Sequence, residues 1–112
     1  MTNEFIPYEQ ALALKELGFD EPCIALYNEE CKTLHLSLNL VNKKPYFCAP
    51  LYQQAFRWFR EKHGLRHFIE YDYGHYNAVV QSSLVYHCDT HEEAELACLK
   101  KLIELSTETN KP

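Results

Sequence analysis

The segment "PLYQQAFRWFREKHG", residues 50 to 64, restricts the fold more than any other part of the chain. With successive residues about 100° apart around a helix, Leu51, Tyr52, Ala55, Phe56, Trp58 and Phe59 form one broad apolar arc. Gln53, Gln54, Arg57, Arg60 and Glu61 fall on the opposite arc, and Gly64 supplies a left-handed stop. Burying each large ring stabilises by about 1.5–3 kcal/mol, so this helix is expected to anchor a core.

Two more helices are predicted. "PYEQALALKELG" starts at Pro7, a residue suited to a first helical position, and ends at Gly18. Glu9 and Glu16 lie on one side of it, with Ala13, Leu14 and Leu17 on the other. "HEEAELACLKKLIEL" carries Ala94, Cys98, Leu99, Leu102, Ile103 and Leu105 as its apolar stripe, leaving Glu93, Lys100, Lys101 and Glu104 outside. "CIALYN" and "TLHLSLNLV" read as strands joined by the loop "NEECK". In the second strand Leu34, Leu36, Leu38 and Leu40 alternate with Thr33, His35, Ser37 and Asn39, the pattern of a strand packed on one side. "NKKPYFCAP" holds two prolines and reads as irregular. "RHFIEYDYG" and "HYNAVVQSSLVYHC" read as a second hairpin turning near Gly74. The expected order is α-β-β-α-β-β-α. That describes an α+β single domain over residues 1–112, with a four-stranded, largely antiparallel sheet packed with helices and a polar tail from 106.

Composition narrows the function classes. The formal charge is −5, from 11 basic and 16 acidic residues, and the densest basic stretch, "RWFREKHGLRH", is interrupted by apolar residues. Duplex nucleic acid is therefore a disfavoured partner, because it calls for a continuous cationic stripe. No apolar run approaches the roughly 20 residues of a membrane span, and "MTNEFIPYEQ" lacks the regions of a signal peptide. Cys23, Cys31, Cys48, Cys88 and Cys98 are odd in number and form no CxxC pair, which suits unbridged thiols in a reducing cytoplasm. Eight tyrosines are many for a chain of 112 residues; a tyrosine can pack its ring while its hydroxyl stays wet, which suits sheet faces and interfaces.

The helical segments "PLYQQAFRWFREKHGL" and "EEAELACLKKLIEL", with the opening "FIPYEQALALKELGFDEPC", resemble a group of small bacteriophage proteins without an assigned activity. The resemblance covers a little under half of the chain. It implies a phage-encoded protein of the host cytoplasm, and it brings no catalytic residue with it. Small phage proteins of this kind often act on host machinery or defence, by blocking a protein or by sequestering a signalling nucleotide.

Three clusters carry potential chemistry. "HCDTHEEAE" offers His87, Cys88, Asp89 and His91 as metal-type ligands. However, His87 and Cys88 are consecutive in a strand and should point to opposite faces. Thr90 and Glu93 form a capping box ahead of an apolar-periodic run, which accounts for the order of residues better. His91 and Glu95, four apart, are then left as a rim pair, or as part of a polar pocket with His87. "EYDYGHYN" crowds Tyr71, Tyr73, His75 and Tyr76 around a turn, which is either a hairpin stabilised by cross-strand aromatic pairs or a surface able to stack on a planar group or a protein partner. Arg57 and Arg60 on the polar arc of the central helix either cover a solvated helix face, the commoner use of such arginines, or hold an anion. Cys48, in the proline-flanked stretch, is the thiol expected to be most exposed.

No hydrolase, phosphate-loop or dinucleotide motif occurs, and no cofactor or metal is implied. The expected function is non-enzymatic binding of a host protein or a small nucleotide-like ligand. The binding candidates are Tyr71, Tyr73, His75, Tyr76, His87, His91, Glu95 and Arg57. Symmetric self-association would be the usual way for so small a chain to deepen a pocket. The alternative is a small hydrolase or phosphodiesterase using His87, His91 and Glu95 as acid and base.

Overall fold

The apolar patterns above become three helices and six strands in a computed structural model that describes residues 4–40 and 45–109. The chain divides into two compact units, Met1–Leu51 and Tyr52–Pro112.

In the first unit, helix α1 (Tyr8–Glu16) begins after Pro7, which stands at the cap and not inside the first turn. It ends in a complete Schellman motif. Gly18 takes φ +101°, its N–H reaches Lys15 O at 3.0 Å, and the Phe19 N–H reaches Leu14 O at 3.0 Å. Leu14 and Phe19, the residues brought together by that motif, are both buried. Strands β1 (Cys23–Asn28), β2 (Leu34–Leu40) and β3 (Tyr46–Cys48) pair antiparallel in the order β2-β1-β3. Strand β3 corrects the expectation of irregular chain between the prolines. A three-residue strand at a sheet edge accommodates Pro45 and Pro50 beyond its ends, where no ladder donor is lost.

The packing of β2 also departs from expectation. Tyr8 places its ring 5.4 Å from Tyr27 and 5.3 Å from Phe47, so α1 covers β1 and β3. Leu34 packs partly against the cluster of Phe5, Ala25 and Ala49, but Leu36 remains 67% exposed at the far edge. The side chains of Ser37, Leu38, Asn39 and Leu40 lie outside the described residues.

In the second unit, helix α2 (Tyr52–His63) buries Tyr52, Ala55, Phe56, Trp58 and Phe59, as its periodicity dictates. Gly64 follows at φ +65°, the left-handed stop expected of it. Strands β4 (His67–Asp72), β5 (His75–Val80) and β6 (Ser83–Cys88) form a second antiparallel sheet in sequence order. Helix α3 (His91–Thr109) packs on all three strands and on α2, with Ala94, Cys98, Leu99 and Leu102 fully buried. It runs on through residues 106–109, where a polar tail is expected, and Ser106 is wholly buried. Residues 110–112 lie outside the described residues.

The architecture is therefore α+β with two three-stranded sheets, not one four-stranded sheet. The stretch read as one long strand after Gly74 folds back at Gln81–Ser82, whose φ values of +53° and +68° have the sign that a tight type I′ hairpin demands. That turn lacks the usual Asn-Gly signature, which is why the sequence conceals it. No helix among the described residues is long and apolar enough to cross a membrane.

Candidate functional site

The β4–β5 hairpin pairs Tyr71 with Tyr76 and Asp72 with His75, leaving Tyr73 and Gly74 as a two-residue turn. Their φ values are +50° and +81°. Glycine adopts that region freely, whereas a tyrosine there is uncommon, because its Cβ crowds the backbone. Tyr73 is nevertheless 94% exposed at the apex, so no tertiary contact holds its ring in place.

Register then builds a face. Tyr71 opposes Tyr76, and Tyr76 opposes Cys88, so the three share the side of the sheet that α3 covers. The Tyr71 ring lies 5.0 Å from Tyr76, and the Tyr76 ring meets His91 edge-on at 5.8 Å. His91 Nδ1 stands 3.6 Å from Glu95 Oε1, the i,i+4 pair anticipated from their spacing. A continuous run of contacts thus leads from the exposed Tyr71, through Tyr76, to the first turn of α3.

His87 does not join it. It opposes Asn77, one residue along from the Tyr76–Cys88 pair, and so lies on the other face, where its Nδ1 bonds to Asn77 Oδ1 at 2.6 Å. His75 lies on that second face as well, with Nδ1 3.7 Å from Asp89 Oδ1, both groups being largely exposed. Arg57 is exposed on α2 and follows Phe56, whose ring stacks on His67 at the start of β4. Tyr71 is four residues further along that strand, roughly 13 Å away at about 3.3 Å per residue. Tyr71, Tyr76, His91 and Glu95 are thus brought together, Tyr73 crowns them, and His75, His87 and Arg57 stand apart. Among the described residues, no three His, Cys, Asp or Glu side chains converge to share a metal ion.

The start of α3 is built by the capping box. The Glu93 N–H donates to Thr90 Oγ1 at 3.1 Å, and the Thr90 hydroxyl donates to Glu93 Oε1 at 3.1 Å. The surroundings are acidic: Glu70, Asp72, Asp89 and Glu92 are exposed, and residues 67–80 contain no lysine or arginine.

On the flank between α3 and β6 lies an open groove of about 420 Å³, lined chiefly by Val85, Tyr86, Leu96, Ala97, Lys100 and Lys101. Tyr86 is 62% exposed and is a member of the surface that local sequence does not single out. It pairs with Ala78, beside the register shift between Ala78 and Val79.

One thiol differs from the sequence reading, and two thiols and one histidine have shifted proton affinities. Cys48 is buried at 2% exposure on β3, which corrects its expected exposure in a loop; Cys31 is the exposed cysteine. Burial pushes the Cys98 thiol up to about 11, and burial followed by the Glu93 and Asp89 carboxylates raises Cys88. Burial, with the Arg60 guanidinium adding to it, pushes His67 down to about 4, so this ring is neutral at physiological pH. Compared with known proteins, the chain matches no protein-family model, no curated sequence and no solved structure.

Proposed function

We propose that this chain is a non-enzymatic binding protein whose tyrosine hairpin and α3 start engage a protein partner. The observation that carries the reading is Tyr73. It occupies a left-handed turn position that suits Asn or Gly, and it is 94% exposed there, so the fold gains nothing from its ring. Tyr71 at 67% exposure and the half-buried Tyr76 extend the same aromatic surface. Aromatic anchors within a polar rim are the usual composition of protein-binding hot spots.

The charge pattern favours a protein over a nucleotide. Carboxylates surround the hairpin and no cation lies within it, so a phosphate would meet repulsion where an arginine-bearing protein surface would meet attraction. In the bacteriophage setting implied by the helical segments, the partner is a host protein. A His/Glu hydrolase is less well supported, because His87 is turned away from His91 and Glu95.

Titration of isotope-labelled protein with an arginine-rich peptide, and separately with nucleoside phosphates, tests this by NMR. The peptide should shift the resonances of Tyr71, Tyr73, Tyr76 and His91, and the shifts should vanish in a Y71A/Y73N variant. Nucleotide-induced shifts at those residues, or recovery of a cleaved nucleotide, would replace the proposal with one of its competitors.

A further inference from the structure

The first unit contains a pair of thiols that the tyrosine surface does not use. Cys23 opens β1 and Cys48 closes β3, the neighbouring antiparallel strand. The Cys23 Sγ–H donates to Glu21 O at 3.4 Å and the Cys48 Sγ–H donates to the same oxygen at 3.3 Å, so the two sulfurs converge on one acceptor. They are also within hydrogen-bonding reach of each other. Both residues are buried, at 3% and 2% exposure. Nothing in the sequence announces the pair: the two cysteines are separated by the whole of β2, and only the pairing of β3 on β1 unites them.

We infer that Cys23 and Cys48 form a peroxide-sensitive dithiol that closes reversibly to a disulfide joining β1 to β3. The roles of the two sulfurs differ. When Cys48 ionises, the single Cys23 proton can turn from Glu21 O to the Cys48 sulfur, and this hydrogen bond holds the Cys48 thiol below the ordinary range, against burial and the nearby Asp20 carboxylate, so Cys48 is the better nucleophile. Its thiolate attacks one oxygen of hydrogen peroxide, the O–O bond breaks, and hydroxide leaves and is protonated to water, giving Cys48 sulfenic acid. The Cys23 sulfur then attacks the Cys48 sulfur, the S–O bond breaks, and the departing hydroxide takes up the Cys23 proton as a second water. Two thiols are oxidised, peroxide is reduced to two waters, and a dithiol reductant reverses the bond. Burial is expected to select the oxidant, because at 3% and 2% exposure a glutathione-sized disulfide cannot seat against either sulfur and peroxide needs only a water-sized opening. The exposed Cys31 has no such protection and serves as an internal control.

The test is to treat the full chain with hydrogen peroxide or with oxidised glutathione, alkylate it under denaturing conditions, and map the peptides. Peroxide should yield a Cys23–Cys48 linked peptide that has lost two hydrogens and is restored by dithiothreitol, while oxidised glutathione modifies Cys31 alone. In C23S the sulfenic acid should persist on Cys48 and be trapped by dimedone added together with the denaturant, and C48S should give no adduct at Cys23. Recovery of Cys23 and Cys48 as thiols after peroxide has consumed Cys31, or a linkage through Cys31, overturns the inference. The wild-type measurement decides the matter even if either serine variant fails to fold.

Discussion

Two residues show how local chemistry is fixed by different kinds of neighbour. Thr90 serves α3 through its own sequence context, accepting from the Glu93 N–H and donating to the Glu93 carboxylate. Thr90→Ala should cost about 1 kcal/mol in chemical denaturation, and Thr90→Asp, another good cap, should restore most of it. His67 is governed by tertiary surroundings, with its ring stacked 3.7 Å from Phe56 and its proton affinity lowered to about 4 by burial and Arg60. Its folded value lies below the ordinary 6.5, so the unfolded chain takes up the proton first. The group has no effect on the pH dependence of stability above 6.5, and it destabilises progressively as pH falls from 6.5 towards 4. Partial exposure keeps this to about 1–2 kcal/mol after allowance for solvent screening. NMR titration should place the ring near 4, and His67→Phe should flatten that part of the stability profile.

At the scale of elements, helices were legible and short strands were not. The arc of Tyr52, Ala55, Phe56, Trp58 and Phe59 is buried as its spacing requires, because a helix with so wide an apolar face has one way to dry it. Strand β3 has three residues, too few to display alternation, and it exists because β1 offers it a ladder. The β5–β6 turn was hidden because Gln81 and Ser82 adopt positive φ without the residue types that favour it. Gln81 Oε1 accepts from the Arg66 N–H at 2.7 Å and so has a reason to stay; Ser82→Gly alone relieves the strain at the second turn position and should raise stability by about 0.5–1 kcal/mol, read as a higher melting temperature.

For the molecule as a whole, the proposed binding role of the exposed aromatic surface sets stability against function. A tyrosine at a left-handed apex costs the fold roughly 1–2 kcal/mol, and its ring is left in water. Tyr73→Asn should therefore raise the melting temperature while removing partner binding, a trade expected where a functional residue occupies a strained position. A variant that is less stable would mean that Tyr73 has a structural role, and the binding assignment would fall with it.

The sequence by itself determined the three helices, the loop between β1 and β2, the cap of α3 and the pairing of His91 with Glu95. Each of these is set by residues within a turn or two of one another, so period, cap and spacing carry the information. It placed the tyrosines around a turn for the same reason. Tertiary structure alone decided that the strands form two sheets, that Leu36 is left uncovered, and that His87 turns away from His91. It alone brought Cys23 to Cys48 and buried His67 beside Arg60. These outcomes depend on which strands pair, in what register, and which face a helix covers. Such contacts join residues far apart in the chain, and no local pattern encodes them.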